Sequence, residues 1–308
     1  MSVKSRLQKA KELVNIGEYK IASKELLSLD SKIKDTNLRL ELIDACLAAL
    51  DHVNENKKLI SLCKEGEKLS SSIQRQDLTA FFMGRRADLI TMQSTFLWHE
   101  KKNLKLMPEW IEFATIREQE RYKKLSEKIK KNEDEVDNLF EKSIKIATDI
   151  NKPEILARIL MSRASVMSTR YLSEKNKNIN GRLKQKLWLN LNFLRYPFFE
   201  NILFIPWSKK SKLKNIYNSY FNDFIKSAEI FEKLKDPMSG YAYCNLANNL
   251  TTTYKFKLAN KYLKKADHIA ERYSDQALKK RIVILKQKIK EKNRDIPDYT
   301  NGESRDNL

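Results

Sequence analysis

Residues 243–266 read YCNLANNLTTTYKFKLANKYLKKA, and this stretch decides the predicted fold. Its large and small apolar residues recur at the spacing of two helices joined by a short turn. They are Tyr243, Leu246, Ala247, Leu250, Phe256, Ala259, Leu263 and Ala266. Two helices pack closely where both present small residues, so Ala247 and Ala259 allow their backbones to approach while Ala266 leaves room for a following helix. The stretch therefore predicts an antiparallel helical hairpin.

The same spacing occurs at the N-terminus. Six residues there stand at the relative positions of Ala247, Leu250, Tyr254, Phe256, Ala259 and Leu263; they are Ala10, Leu13, Gly17, Tyr19, Ala22 and Leu26. Gly17 occupies the turn position, where glycine suits the end of a helix. A third similarity links residues 138–153 to residues 222–237, with identical residues at several positions, among them Phe140 and Phe224. Repetition of this kind predicts hairpins arranged in series.

The hairpin at 243–266 resembles the tetratricopeptide repeat (TPR), a 34-residue helical hairpin. It departs from the consensus in three places, since Tyr243 replaces the usual Trp, Ala247 the usual Gly, and Glu271 stands where a terminal Pro is expected. The resemblance implies an all-α fold, a superhelical stack of antiparallel helical hairpins or TPR-like α-solenoid.

Composition and segmentation favour the same fold class. Gly and Pro number six each, too few for the many tight turns of a sheet-rich fold. Residues 1–172 are expected to form N-terminal hairpins with a long charged helical stretch, which begins at Pro108 and ends near Ile150. Residues 173–210 are expected to be a basic linker with an aromatic-rich insertion, 211–293 C-terminal hairpins, and 294–308 a disordered tail.

The positive charge is concentrated in one part of the chain. The formal net charge is +20, and residues 151–220 contribute more than half of it, with fourteen Lys/Arg against three Asp/Glu. Such a stretch would attract an acidic protein surface, a phosphate backbone or anionic lipid head groups. A generally lysine-rich composition with solvated faces is the alternative explanation.

Cysteine usage and the N-terminus bear on the compartment. Cys46, Cys63 and Cys244 form no paired motif and stand in apolar helical contexts, so we expect them to be buried and the compartment to be reducing. The first thirteen residues form a charged amphipathic helix without the apolar core of a signal peptide. The expected location is cytoplasmic, with membrane association as an open alternative.

Residues 187–207 are the most apolar and aromatic stretch of the chain, flanked by lysines. They could form an irregular helical pair packed on the hairpins, an interfacial membrane anchor, or a docking patch for a protein, including a second copy of this chain. A membrane-spanning helix is disfavoured by Arg195, Pro197 and Glu200. The candidate contact residues of this patch are Trp188, Phe193, Phe198, Phe199 and Trp207.

Sequence signatures of catalysis do not occur. His52, His99 and His268 lack partners at metal-ligand spacing, and no nucleotide-binding, zinc-protease or nucleophile-elbow motif is found. Abundant carboxylates alternate with lysines, as on ordinary solvated helix faces. We therefore expect no enzyme activity, no cofactor, no metal and no small-molecule substrate.

Two sets of residues are candidates for binding a partner. By the TPR resemblance, the positions that face the groove are Tyr241, Cys244, Asn245, Asn248 and Thr252, where Cys244 replaces the lysine that often accompanies such asparagines. The second set comprises the arginines Arg85, Arg86, Arg163 and Arg170. Guanidinium groups bind carboxylates and phosphates with two parallel hydrogen bonds, and Arg163 and Arg170 share one helical face. Exposed arginines, or arginines paired with nearby acids, are the alternative.

The sequence thus predicts a non-catalytic scaffold, adaptor or regulator that holds a protein or peptide segment in a concave groove, with an acidic segment fitting best. Two alternatives stay open. One is a nucleic-acid-associated factor that uses residues 151–220, and the other is a peripheral membrane protein anchored by residues 187–207.

Overall fold

A computed structural model describes residues 2–30, 32–51, 55–104, 111, 114–187 and 207–294, and the side chains of these except 173–187, 207–210, 212 and 292–294. Throughout the described residues the regular elements are helices, and no strand occurs among them. Within the same part of the chain, no helix combines the length and apolar character needed to cross a bilayer.

The helices follow one another with short connections. Their bounds are α1 Val3–Asn15, α2 Tyr19–Leu29, α3 Thr36–Leu50, α4 Asn56–Ser72, α5 Gln76–Asn103, α6 Ile116–Asp149, α7 Pro153–Leu187, α8 Trp207–Lys233, α9 Met238–Thr252, α10 Phe256–Arg272 and α11 Gln276–Arg294. The chain divides into two compact units, Met1–Ile155 (unit 1) and Leu156–Leu308 (unit 2).

In unit 1, helices adjacent in sequence pack together from α1 through α6, and α1 also contacts α3. The core between α1 and α5 is aliphatic, with Phe82 as its one fully buried aromatic ring among the described residues. Phe82 lies against Gly66 of α4, where a Cβ atom would come within 2.8 Å of the ring. The close approach of α4 and α5 therefore depends on glycine at this position.

In unit 2, α8, α9, α10 and α11 pack in chain order, and α9 also contacts α11. Helix α7 is joined to α8 by the hydroxyl of Ser227, which donates a 2.7 Å hydrogen bond to the carbonyl oxygen of Ala157. This unit is rich in buried aromatic rings; those that are fully or almost fully buried are Tyr220, Phe224, Phe231, Tyr243, Phe256 and Tyr262.

Six of the turns that follow helices share one backbone geometry, with one residue in the left-handed conformation. After α1, Gly17 has a φ of +86° and the amide of Glu18 donates to the carbonyl of Leu13 at 2.9 Å. After α9, Tyr254 has a φ of +63° and the amide of Lys255 donates to the carbonyl of Leu250 at 2.9 Å. A residue in the same left-handed conformation follows four further helices; these residues are Gln74, Asn151, Lys235 and Ser274. The structure thus places Gly17 and Tyr254 at equivalent turns, as their spacing indicated.

The similarity between residues 138–153 and 222–237 also has a structural counterpart. Phe140 and Phe224 are buried, and Asn151 and Lys235 adopt the same left-handed turn conformation. One proline follows each turn, Pro153 as the first residue of α7 and Pro237 directly before α9. Proline suits both places because the first turn of a helix needs no amide donor.

Two expected helix boundaries differ from the structure. Helix α7 continues to Leu187, into residues 173–210, where the sequence predicted a basic linker with an aromatic-rich insertion; the Lys, Glu and Asn residues of 173–187 tolerate helix, and this stretch contains no proline. Helix α6 begins at Ile116, where Thr115 and Glu118 form a reciprocal capping box. The expected start at Pro108 lies outside the described residues, as do the tail 295–308 and residues 188–206.

Candidate functional site

The candidate binding surface of unit 2 is formed by α9 and α11. Tyr241, Asn245, Asn248 and Thr252 repeat every three or four residues on α9, so they share one face of that helix. Helix α11 comes close to α9 at Gly240, where a Cβ atom would lie 2.5 Å from Cδ2 of Leu278. The small residue therefore lets the two helices present their side chains side by side.

Two asparagines of α9 are hydrogen-bonded to two cations of α11. Arg281 Nη2 donates to Asn245 Oδ1 at 2.8 Å, and Lys288 Nζ donates to Asn248 Oδ1 at 3.1 Å. We call Tyr241, Asn245, Asn248, Thr252, Arg281 and Lys288 together the α9–α11 surface.

These contacts determine which atoms of the asparagines remain for a ligand. Arginine and lysine carry donors and no acceptor, so the amide oxygens of Asn245 and Asn248 must face them. The amide NH₂ groups then point elsewhere, and the cations keep further N–H groups of their own. This part of the surface consequently offers donors, which match carboxylate or carbonyl oxygens.

The two ends of the surface are held by local hydrogen bonds. The Tyr241 hydroxyl donates to Asp275 Oδ1 at 3.2 Å, and the same oxygen accepts the amide of Leu278 at the start of α11. Burial and this carboxylate raise the pKa of Tyr241. At the other end, Thr252 donates to the carbonyl of Asn248 at 3.0 Å. The Thr252 hydroxyl is thus directed to its own helix.

The electrostatic setting of the α9–α11 surface is positive. Besides Arg281 and Lys288, α11 carries Lys279, Lys280, Lys286 and Lys290. The described acids nearby are engaged, since Asp275 accepts from Tyr241, Glu291 accepts from Gln287 at 2.8 Å, and Asp267 pairs with Lys286 at 2.6 Å. An acidic ligand would therefore gain Coulomb energy on this surface.

Cys244 does not belong to the surface, which corrects the prediction from the TPR resemblance. Its side chain is buried, and burial raises the pKa of its thiol. The reason is geometric, because the position before Asn245 is rotated by about 100° around the helix and faces the core. Cys46 and Cys63 are buried as expected, and burial raises each of their pKa values to about 12.

Three of the four candidate arginines are paired with acids of their own unit. Arg163 donates from Nε and Nη2 to the two carboxylate oxygens of Asp223, both at 2.7 Å. Arg86 pairs with Glu67 at 2.9 Å. These pairings match the alternative named above, in which the arginines are paired with nearby acids.

Arg85 completes the paired set, and Arg170 has a different neighbour. Arg85 pairs with Asp51 at 2.8 Å. Arg170 Nη1 lies 3.8 Å from the sulfur of Met167, one turn earlier on α7. Arg85 and Arg86 belong to unit 1, and Arg163 and Arg170 to unit 2. A ligand role for all four stays a prediction.

The candidate aromatic patch falls outside the side chains that the structure describes. Trp188, Phe193, Phe198 and Phe199 lie outside the described residues, and Trp207 begins α8 without a described side chain. Within the part of the chain that the structure does describe, no group of three or more His, Cys, Asp or Glu side chains is arranged to hold a metal ion.

Arg281 and Lys288 were not predicted from the sequence as partner-binding residues. A signal was present, because the two residues stand seven positions apart on a basic helix and so share a face, the same rule that grouped Arg163 with Arg170. What the sequence lacked was the packing of α11 against α9, which brings their side chains to the asparagines.

Comparison with known proteins adds no assignment. No protein-family model matches the chain, and no curated protein matches it.

Proposed function

We propose that this protein is a non-catalytic scaffold, adaptor or regulator that holds an acidic segment of a partner protein on the α9–α11 surface. One observation carries the proposal: Arg281 and Lys288 occupy the oxygens of Asn245 and Asn248, which leaves a row of hydrogen-bond donors. Donor rows without acceptors favour carboxylates and peptide carbonyls, the groups that an extended acidic segment presents.

The proposed architecture behind this surface is a TPR-like α-solenoid. Helix packing supports it, since α1 contacts α3, α9 contacts α11, and neighbouring helices pack in chain order from α1 to α6 and from α8 to α11. All eight positions that define the hairpin at 243–266 are buried. In such a stack the first helices of successive hairpins line one inner face, which is where α9 and α11 would lie.

The chemistry of the described residues suits binding rather than catalysis. The residues that define the α9–α11 surface include no His, Cys, Asp or Glu, the residue types that most often act as nucleophile or general base. The proposed location is cytoplasmic. Association with nucleic acid through 151–220 and membrane anchoring by 187–207 are the alternatives, and the side chains of 173–210 lie outside those described.

A displayed library of random peptides tests the proposal with purified protein as bait. We expect enrichment of sequences with Asp and Glu at several positions, because the surface is positively charged and its asparagines and cations present N–H donors. Binding of a selected fluorescent peptide should weaken about tenfold in Asn245→Ala/Asn248→Ala and at least as much in Arg281→Gln/Lys288→Gln.

Matched controls lie on the neighbouring helix. Asn260→Ala and Arg272→Gln change exposed residues of α10 that lie outside the α9–α11 surface, and they should bind as the wild type does. The proposal fails if the selected peptides show no acidic preference. It also fails if the α9–α11 variants retain full affinity for an acidic peptide.

A further inference from the structure

Helix α11 exposes two aliphatic side chains on the side away from its core contacts. Its buried stripe consists of Leu278, Ile282, Leu285 and Ile289. Val283 and Ile284, in contrast, are 64% and 69% exposed. At 100° per residue, each lies about 50° from the direction opposite to the buried stripe, one on either side. Val283 and Ile284 therefore flank the midline of the outward face, which Lys280, Gln287 and Glu291 occupy.

Cations also lie on and beside this face. Lys280 stands on its midline, together with Gln287, which donates to the one acid there, Glu291, at 2.8 Å. Further basic residues lie along the two edges, which are Lys279, Arg281, Lys286, Lys288 and Lys290. Lys279, Lys280 and Lys290 form no ion pair with any residue that the structure describes. We call Val283, Ile284, Lys279, Lys280 and Lys290 the outer face of α11.

The arrangement discriminates between possible occupants. A second copy of this chain would bring two sets of lysines together, and like charges at an interface repel. A helical partner would pack best on a continuous stripe of apolar residues, whereas Val283 and Ile284 are confined to one turn. A phosphate backbone would use the cations but make no use of two exposed aliphatic side chains.

A membrane surface uses both features. Aliphatic side chains of an interfacial helix enter the boundary between head groups and acyl chains, while lysines along its edges extend to the head groups. Anionic lipids attract each lysine near the surface. We propose that the outer face of α11 docks on a bilayer that contains anionic lipid. This inference is independent of the function proposed for the α9–α11 surface and of residues 187–207.

Sedimentation with lipid vesicles tests the inference on the full chain. The wild type should bind vesicles of phosphatidylcholine with phosphatidylserine and should not bind vesicles of phosphatidylcholine alone. Val283→Ser/Ile284→Ser should weaken binding about tenfold, since less apolar surface is buried. Lys279→Gln/Lys280→Gln/Lys290→Gln should weaken it about a hundredfold, since three lysines near the surface are lost.

Controls of equal chemistry are available in unit 1. Ile16 is 72% exposed after α1, so Ile16→Ser removes an exposed isoleucine elsewhere. The triple change Lys124→Gln/Lys128→Gln/Lys131→Gln on α6 removes the same charge from exposed positions. Both controls, and Asn245→Ala/Asn248→Ala, should bind vesicles within about twofold of the wild type. Circular dichroism confirms that each variant keeps its helices.

Three results would overturn the inference. The first is a wild type that ignores phosphatidylserine vesicles. The second is undiminished binding by the α11 variants, which would place the membrane contact elsewhere, for example in 187–207. The third is an α6 control that loses as much binding as the α11 lysine variant, since total charge would then explain the result.

Binding of duplex DNA that needs the α11 lysines, without vesicle binding, would assign the outer face to phosphate backbones instead.

Discussion

The helices of the two units are tied together by different side chains. In unit 1 the ties are guanidinium groups, for example Arg39 of α3, which bonds both carboxylate oxygens of Glu65 on α4 at 2.6 and 3.0 Å. Unit 2 also has a guanidinium–carboxylate pair, Arg163 with Asp223, but phenol hydroxyls join its helices as well, such as that of Tyr243, which donates to Glu232 at 2.9 Å. The cores differ accordingly, aliphatic between α1 and α5 and aromatic in unit 2.

This difference has a consequence for binding. A tyrosine supplies apolar surface and a hydroxyl in one side chain, so it can join helices without consuming a cation. Arg85 and Arg86 of unit 1 are paired with acids inside their unit. On α11 of unit 2, Arg281 and Lys288 are instead bonded to neutral asparagines, so their charge is not cancelled. The tyrosine-tied unit therefore presents the more positive binding surface.

The largest expected effect compares two phenylalanines at corresponding positions of the units. Phe224→Ala should lower the free energy of unfolding by about 4 kcal/mol, because a buried ring leaves a cavity and its contact with Tyr220 is lost. Phe140→Ala in unit 1 should cost about 3 kcal/mol, since Phe140 is buried outside the aromatic cluster. Urea denaturation followed by circular dichroism measures both. Phe96→Ala, at an exposed site, is the control, and equal losses at all three sites would contradict the comparison.

The next effect tests the guanidinium ties of unit 1. Arg39→Ala should cost about 2 kcal/mol, because it removes the bond to Glu65 and the ion pair with Asp30 at a side chain only 14% exposed. Arg121, whose pair with Glu100 is exposed on both sides, serves as the matched control, and Arg121→Ala should change stability by less than about 0.5 kcal/mol. Thermal denaturation distinguishes them. Similar melting shifts for the two variants would show that burial of the pair is unimportant.

A smaller effect distinguishes the units at alkaline pH. Burial, followed by the neighbouring tyrosines, raises the pKa of Tyr217 to about 12 and raises the pKa of Tyr220 further. A phenol whose pKa rises on folding stabilises the folded state fully below the unfolded value of about 10, and this contribution is lost as pH rises through the folded value. Unit 2 should therefore weaken above about pH 10.

Tyr220→Phe isolates this effect. The Tyr220 hydroxyl is buried without a hydrogen-bond partner among the described residues, so its removal should leave stability unchanged or increase it by up to about 1 kcal/mol at neutral pH. The advantage over the wild type should grow near pH 11, as measured by urea midpoints at both pH values. A Tyr220→Phe variant that is less stable than the wild type at neutral pH would show that the hydroxyl has a partner after all.

The smallest effect concerns the equivalent turns of the two units. Gly17→Ala should lose about 1 kcal/mol, because a side chain is introduced at a φ of +86°. Tyr254→Gly should be near neutral, since relief of a left-handed tyrosine offsets the lost contact with the Phe256 ring. Melting temperatures check both. A strongly destabilising Tyr254→Gly would mean that the ring contact dominates the backbone term.

Part of the fold could be predicted from the sequence because helix periodicity is local. The helices, the buried face of the hairpin at 243–266 and the turn at Gly17 all depend on residues within one or two turns of one another. The interpretation of Cys244 as a groove residue was wrong, because it was transferred from a consensus lysine position, and only the packing of α9 shows that side chain to be buried.

By itself, the sequence determined the all-helical class, the turns at Gly17 and Tyr254 and the small residues that let α9 and α10 approach, since these depend on neighbouring residues in the chain. Tertiary structure alone decided that Arg163 meets Asp223 and that Arg281 meets Asn245, because residues far apart in sequence are brought together only by helix packing. Packing also decided which cations are neutralised and which remain for a partner, as burial and pairing determine how much of a charge reaches the surface.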